Sequence, residues 1–156
     1  GHESPVSLPA KVASQLAFLR NNDSVLTELD LSSLGSHVLT PNLLYSIAEM
    51  CSSNTNVQMA SFSNVKHFAS APLEWVEPLA RIANRIGAMD LSSCDLTDDF
   101  IAALCDKFVV AEFGTNVQKL ILDDNPKLTN IAVTHVARFA RVSHSILHSC
   151  STVGIP

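Results

Sequence analysis

The sequence predicts an α/β protein: a solenoid wound as a right-handed β-α superhelix, a short horseshoe with a parallel inner sheet and outer helices. Three observations predict it. First, Ile86-Gly-Ala-Met89-Asp-Leu91-Ser-Ser-Cys94-Asp-Leu96 fits Leu-x-x-Leu-x-Leu-x-x-Asn/Cys-x-Leu, with an apolar residue at every Leu position. Second, the segments Leu26–Leu31, Val57–Phe62 and Val117–Leu122 follow the same frame, and successive starts lie 31, 29 and 31 residues apart. Third, Thr55-Asn-Val-Gln58 returns as Thr115-Asn-Val-Gln118, leading into a strand each time and setting the register independently of the leucines.

A period near 30 residues leaves room for a full helix between strands. Ala10 to Asn21 carries Val12, Ala13, Leu16, Ala17 and Leu19 on successive turns and reads as an amino-terminal cap over the first strand. Pro41 to Ser52 carries Leu43, Leu44, Ile47, Ala48 and Cys51 on one face. Pro72 to Asn84 carries Leu73, Val76, Leu79, Ala80 and Ala83, but Pro78 removes a helical donor, so a kink or break is expected near Glu74 to Glu77. Asp98 to Phe108 carries Ile101, Ala102, Leu104, Cys105 and Phe108, and Asn130 to His148 reads as a final capping helix. Leu39-Thr40, Leu96-Thr97 and Leu128-Thr129 each set a capping Thr before a helix, with a Leu ahead of it to pack on Leu44, Ile101 or Val133. Residues 1–9 read as a flexible start with Gly1-His2 a tag remnant, 10–149 as a single domain of four β-α repeats, and 150–156 as a tail.

Composition narrows the classes. Hydrophobic residues at 47% and charged residues at 16% define a globular chain. A net charge of −5 argues against nucleic acid, whose phosphates demand clustered Lys and Arg. No apolar run reaches the roughly 18 residues of a membrane span, and no signal-like start is present, so cytoplasmic residence without membrane insertion is expected.

No catalytic set emerges: the chain lacks a phosphate-cradling glycine loop, a Gly-x-Ser-x-Gly turn and a zincin helix. The expectation is a non-enzymatic protein with no cofactor and no metal. Cys51, Cys94, Cys105 and Cys150 show no zinc spacing and read as reduced thiols, Cys94 filling the Asn/Cys position of its repeat. His144 and His148, with Cys150 nearby, make a weak zinc signal, and surface histidines are the commoner explanation. Asp95, Asp98, Asp99, Asp123 and Asp124 crowd one loop edge without a calcium-loop pattern; Asp98 and Asp99 suit a helix first turn. His37 and His67 fall in loops after adjacent strands. Arg138 and Arg141 flank Phe139 as a small basic patch, to be weighed against pairing with carboxylates of the domain itself. Trp75 reads as core rather than an exposed anchor.

Strand alternation turns the residues between the core leucines toward the inner face. That face and its loop edge carry the candidate partner-binding residues Glu28, Asp30, Ser32, Met59, Ser61, Asp90, Ser92, Lys119, Ile121, Asp123 and Asp124. The expected partner is a protein, with a basic surface matching the acidic strip. Solvated polar residues that keep the sheet face soluble are the competing explanation at any single position.

The repeats resemble the ribonuclease-inhibitor-like leucine-rich repeat family, and within it the tropomodulin and leiomodin type. That likeness is carried by Leu19-Arg-Asn-Asn-Asp-Ser-Val-Leu-Thr-Glu-Leu-Asp-Leu-Ser32, Asn54-Thr-Asn-Val57 and Asn125-Pro-Lys-Leu-Thr129. The resemblance implies a protein-interaction module within a scaffold or cytoskeletal protein. Its tropomodulin side implies, as the alternative, an actin filament-end binding and capping domain. No actin-contacting motif of that type is matched residue by residue.

Overall fold

The computed structural model describes residues 8–110 and 116–140. Strands β1 (Glu28–Asp30), β2 (Met59–Ser61), β3 (Ala88–Asp90) and β4 (Lys119–Ile121) alternate with helices α1 (Ala10–Arg20), α2 (Pro41–Ser52), α3 (Pro72–Ile86), α4 (Asp98–Val110) and α5 (Asn130–Ala140). The strands form one sheet in the order β1-β2-β3-β4, every neighbour parallel. Register follows the repeat frame: Leu29 pairs with Ala60, Ala60 with Met89, and Met89 with Leu120. Each strand starts two residues after the first apolar position of its segment. Residues 1–7, Thr115, the later part of the expected final helix with His144 and His148, and the 150–156 tail lie outside the described residues.

The alternation has a direct physical result. Leu29, Ala60, Met89 and Leu120 are fully buried, as are Leu31, Phe62, Leu91 and Leu122 one step on. Burying each large apolar side chain stabilises the fold by about 1.5–3 kcal/mol. The helices form the second layer, each packed on the next from α1 to α5. Thr40 and Thr97 cap α2 and α4 by accepting from the Leu43 and Phe100 amides at 3.2 Å. Thr129 accepts the Ile131 amide at the start of α5. The turn leaving each strand repeats as faithfully as the leucines. Ser33, Asn64, Ser93 and Asp124 occupy one position of successive repeats, and all four adopt left-handed φ of 55–62°. Asn and Asp tolerate that region, and the serines are held in it by ladder bonds to the next repeat, such as Ser93 N–H to Asp123 O at 2.9 Å.

Several expectations are corrected. Helix α3 runs unbroken through Pro78. One lost hydrogen bond and a ring clash cost about 3 kcal/mol, but α3 buries Trp75, Val76, Leu79, Ala80, Ile82 and Ala83, which outweighs that. Leu73 and Ile131 lie outside the core, 83% and 59% exposed. Helix α1 turns Val12, Gln15, Leu16 and Leu19 inward, leaving Ala13 and Ala17 exposed. Trp75 is core. It joins Phe62, Phe68 and Phe100 through Phe68, in a 3₁₀ turn spanning Phe68–Ser70, with ring centroids 5.1–6.2 Å apart. This aromatic cluster anchors the repeat whose strand contributes only Ala60 inward.

Cys51, Cys94 and Cys105 are buried. Burial pushes the Cys51 thiol up to about 12 and the Cys94 thiol up to about 11. Cys94 also donates to the Phe62 carbonyl at 3.1 Å, tying its repeat to the previous one.

Candidate functional site

The sheet face away from the helices presents the expected residues in register, with unequal access. Glu28 and Lys119 are exposed, and Met59, Asp90, Ser92, Ile121 and Asp123 are half-buried. Ser61 is a correction: at 8% exposure it offers a partner almost nothing. Asp30 is committed within the chain. Its carboxylate pairs with Lys11 and accepts from the Ser32 hydroxyl and amide, and these bonds, Lys11 first, hold its pKa at about 2. Asp90 accepts from the Ser92 amide at 2.8 Å, and Ser92 reaches Ser63 at 3.1 Å. The charged groups this face offers are therefore the exposed Glu28 and Lys119 and the half-buried Asp90, with Met59 and Ile121 as apolar contacts.

Two carboxylates of the acidic loop edge, Asp95 and Asp98, are likewise engaged in local bonds. Asp95 pairs with Lys127 at 3.2 Å. Burial acts to raise the Asp98 pKa, but hydrogen bonds from the Thr129 amide and hydroxyl hold it below its ordinary value. Among the described residues no group of three His, Cys, Asp or Glu side chains is placed to hold a metal ion. His67 donates from Nε2 to the Leu39 carbonyl at 3.0 Å and stacks edge-on to Trp75, while His37 lies exposed beside Gly35. Arg138 pairs with Asp106 of the preceding helix at 2.5 Å; Arg141 lies outside the described residues.

Three polar side chains that the sequence reading passed over organise the molecule. Gln15 of α1 accepts the Asp30 amide at 2.6 Å and donates to the Asp30 carbonyl at 2.9 Å, closing the outer edge of β1 as another strand would. Asn125 occupies the Asn/Cys position of the last repeat. Its amide donates to the Leu91, Leu122 and Asp123 carbonyls and accepts from the Cys94 and Leu96 amides, all at 3.0–3.1 Å. Asn54 similarly donates to the Leu19 carbonyl at 3.1 Å and accepts from Asn56 and Val57. Asn125 was legible, since it fits the repeat pattern; Gln15 carries no local signal.

At the opposite end of the strands the third repeat differs from its neighbours. Between β1 and β2, six residues separate α2 from its strand, and Thr55 and Asn56 clamp Asn22 of the previous turn. Between α3 and β3 stands only Gly87, with φ of +91°. The missing lead-in leaves a cleft of ≈ 670 Å³ above Gly87, lined by Gln58, Asn84, Arg85, Asn116, Gln118 and Lys119 among others. Arg85 is fixed there by donating to the Ser52 and Asn54 carbonyls. The 29-residue step in the sequence is the signal for this gap.

No family model matches the chain, and no curated protein matches it. Among solved structures it is similar to the tropomodulin C-terminal domain from Caenorhabditis elegans, with TM-score 0.61 and 17% identity, over 88% of this chain and 80% of that one. The likeness establishes a shared fold: a leucine-rich-repeat-like α/β architecture with a parallel sheet. No helix among the described residues is long and apolar enough to cross a membrane.

Proposed function

We propose that this chain is a non-enzymatic protein-interaction module of the ribonuclease-inhibitor-like leucine-rich repeat type, within a cytoplasmic scaffold or cytoskeletal protein. The partner docks on the helix-free sheet face and its loop edge. The observation that supports this is the preformed face of four parallel strands, on which Glu28 registers with Met59, and Asp90 with Ile121 beside Lys119 of the same strand. A repeat surface of this kind binds without a folding cost, because its backbone is already laddered. Right-handed crossovers, the rule for parallel strands joined through helices, curve this face inward.

Affinity capture followed by calorimetric titration of the captured protein tests the reading. Glu28→Lys with Asp90→Lys is expected to weaken a basic partner about tenfold, as loss of one or two charge contacts does. Equal retention by the double variant removes this face from the proposal.

The likeness to a tropomodulin domain supports a second reading, binding at an actin filament end. Filament elongation measured at capped barbed ends separates the two. Slowed pointed-end growth supports the second reading, and unchanged growth leaves the general interaction module.

A further inference from the structure

The cleft over Gly87 lies at the other end of the strands from the loop edge proposed above and carries the opposite charge. Among the described residues that line it there is no carboxylate, although the chain as a whole carries −5. Two cations border it, and neither pairs with a carboxylate among the described residues. Arg85 spends two of its donors on the Ser52 and Asn54 carbonyls, which immobilises the guanidinium and leaves Nη1 without a partner among the described residues. Lys119 stands exposed at the start of β4. The walls are a matched pair of amides, Gln58 and Gln118, from the two copies of the duplicated Thr-Asn-Val-Gln lead-in. Between them the half-buried Asn84 holds a side-chain carbonyl with no hydrogen-bond partner. Its soft terminal torsion allows that group to turn toward an occupant.

We propose that this cleft binds an extended acidic peptide segment, its carboxylate received by Arg85 and Lys119 and its main chain by Gln58, Gln118 and Asn84. Carboxamides both donate and accept, which matches the alternating N–H and C=O of a peptide rather than a bare anion. The span from β2 to β4 is two strand spacings, about 10 Å, or about three extended residues. A bare phosphate is disfavoured because it brings acceptors and leaves the Asn84 side-chain carbonyl unpartnered, whereas a peptide N–H satisfies it.

The test is an amide-resolved NMR titration of the ¹⁵N-labelled chain with a hexapeptide bearing two central glutamates between glycine–serine flanks. The same peptide with glutamines and inorganic phosphate serve as comparison probes. Saturable movement of the Gly87, Gln58 and Gln118 signals by the glutamate peptide alone is expected. Lys119→Gln is expected to weaken it about fivefold and Lys119→Glu to abolish it, with thermal midpoints unchanged because Lys119 is exposed. The proposal is overturned by absent movement, by equal binding of the glutamine peptide, by phosphate acting with comparable affinity, or by indifference to Lys119→Glu.

Discussion

Asn125 shows how much one carboxamide can hold. Its five hydrogen bonds satisfy three carbonyls and two amides in and between the last two repeats. Asn125→Ala strands these buried groups, and a loss of about 3 kcal/mol is expected in chemical denaturation. Asp30 supplies a pH-dependent term. Its pKa stands at about 2 against an ordinary 3.8, chiefly through Lys11. The stabilisation is therefore complete above pH 3.8 and is lost as pH falls toward 2. A carbon-detected titration of the Asp30 carboxyl should show this midpoint, and Lys11→Met should move it upward; a normal midpoint in the wild type refutes the pairing. Residue pattern revealed Cys94 because the repeat assigns it a fixed slot, and Asn125, which the reading passed over, fits the same slot one repeat later. It did not reveal that Ser61 is buried or that Asp30 is paired, because both outcomes depend on neighbours distant in sequence.

Among the elements, β1 and α3 are the most instructive. Strand register was readable from the 31-, 29- and 31-residue steps, since a shift by one residue would expel Leu29, Met89 and Leu120 from the core. Helix faces were less legible. Leu73, in the first turn of α3, is exposed, while Val76, Leu79, Ala80 and Ala83 of the same stripe are buried together with Trp75 and Ile82. Edge closure by Gln15 was invisible, since a glutamine in a helix is ordinarily a solvated residue. Gln15→Ala is expected to cost about 2 kcal/mol by leaving the Asp30 amide and carbonyl unpaired. Gln15→Glu keeps the acceptor but sets an oxygen against the Asp30 carbonyl, so it should rescue only part of the loss. Thermal melts of the two variants decide; equal stability of both with wild type shows that water satisfies the strand.

At the scale of the molecule, the apolar frame determines the overall architecture, while long-range polar side chains supply the finishing bonds. The core runs without interruption from Val12 to Val136, so each turn is stabilised mainly by its neighbours. Cys51 and Cys94 lie inside it with pKa values of about 12 and 11. An aromatic disulfide reagent at pH 8 should therefore leave both unmodified in the folded chain and label them on unfolding. Labelling without denaturant reveals local opening of the turn concerned. The closure of β1 also bears on self-association. Any array of like units invites another copy to continue it, and a second chain arriving at this border finds the Asp30 N–H and C=O already taken by a glutamine.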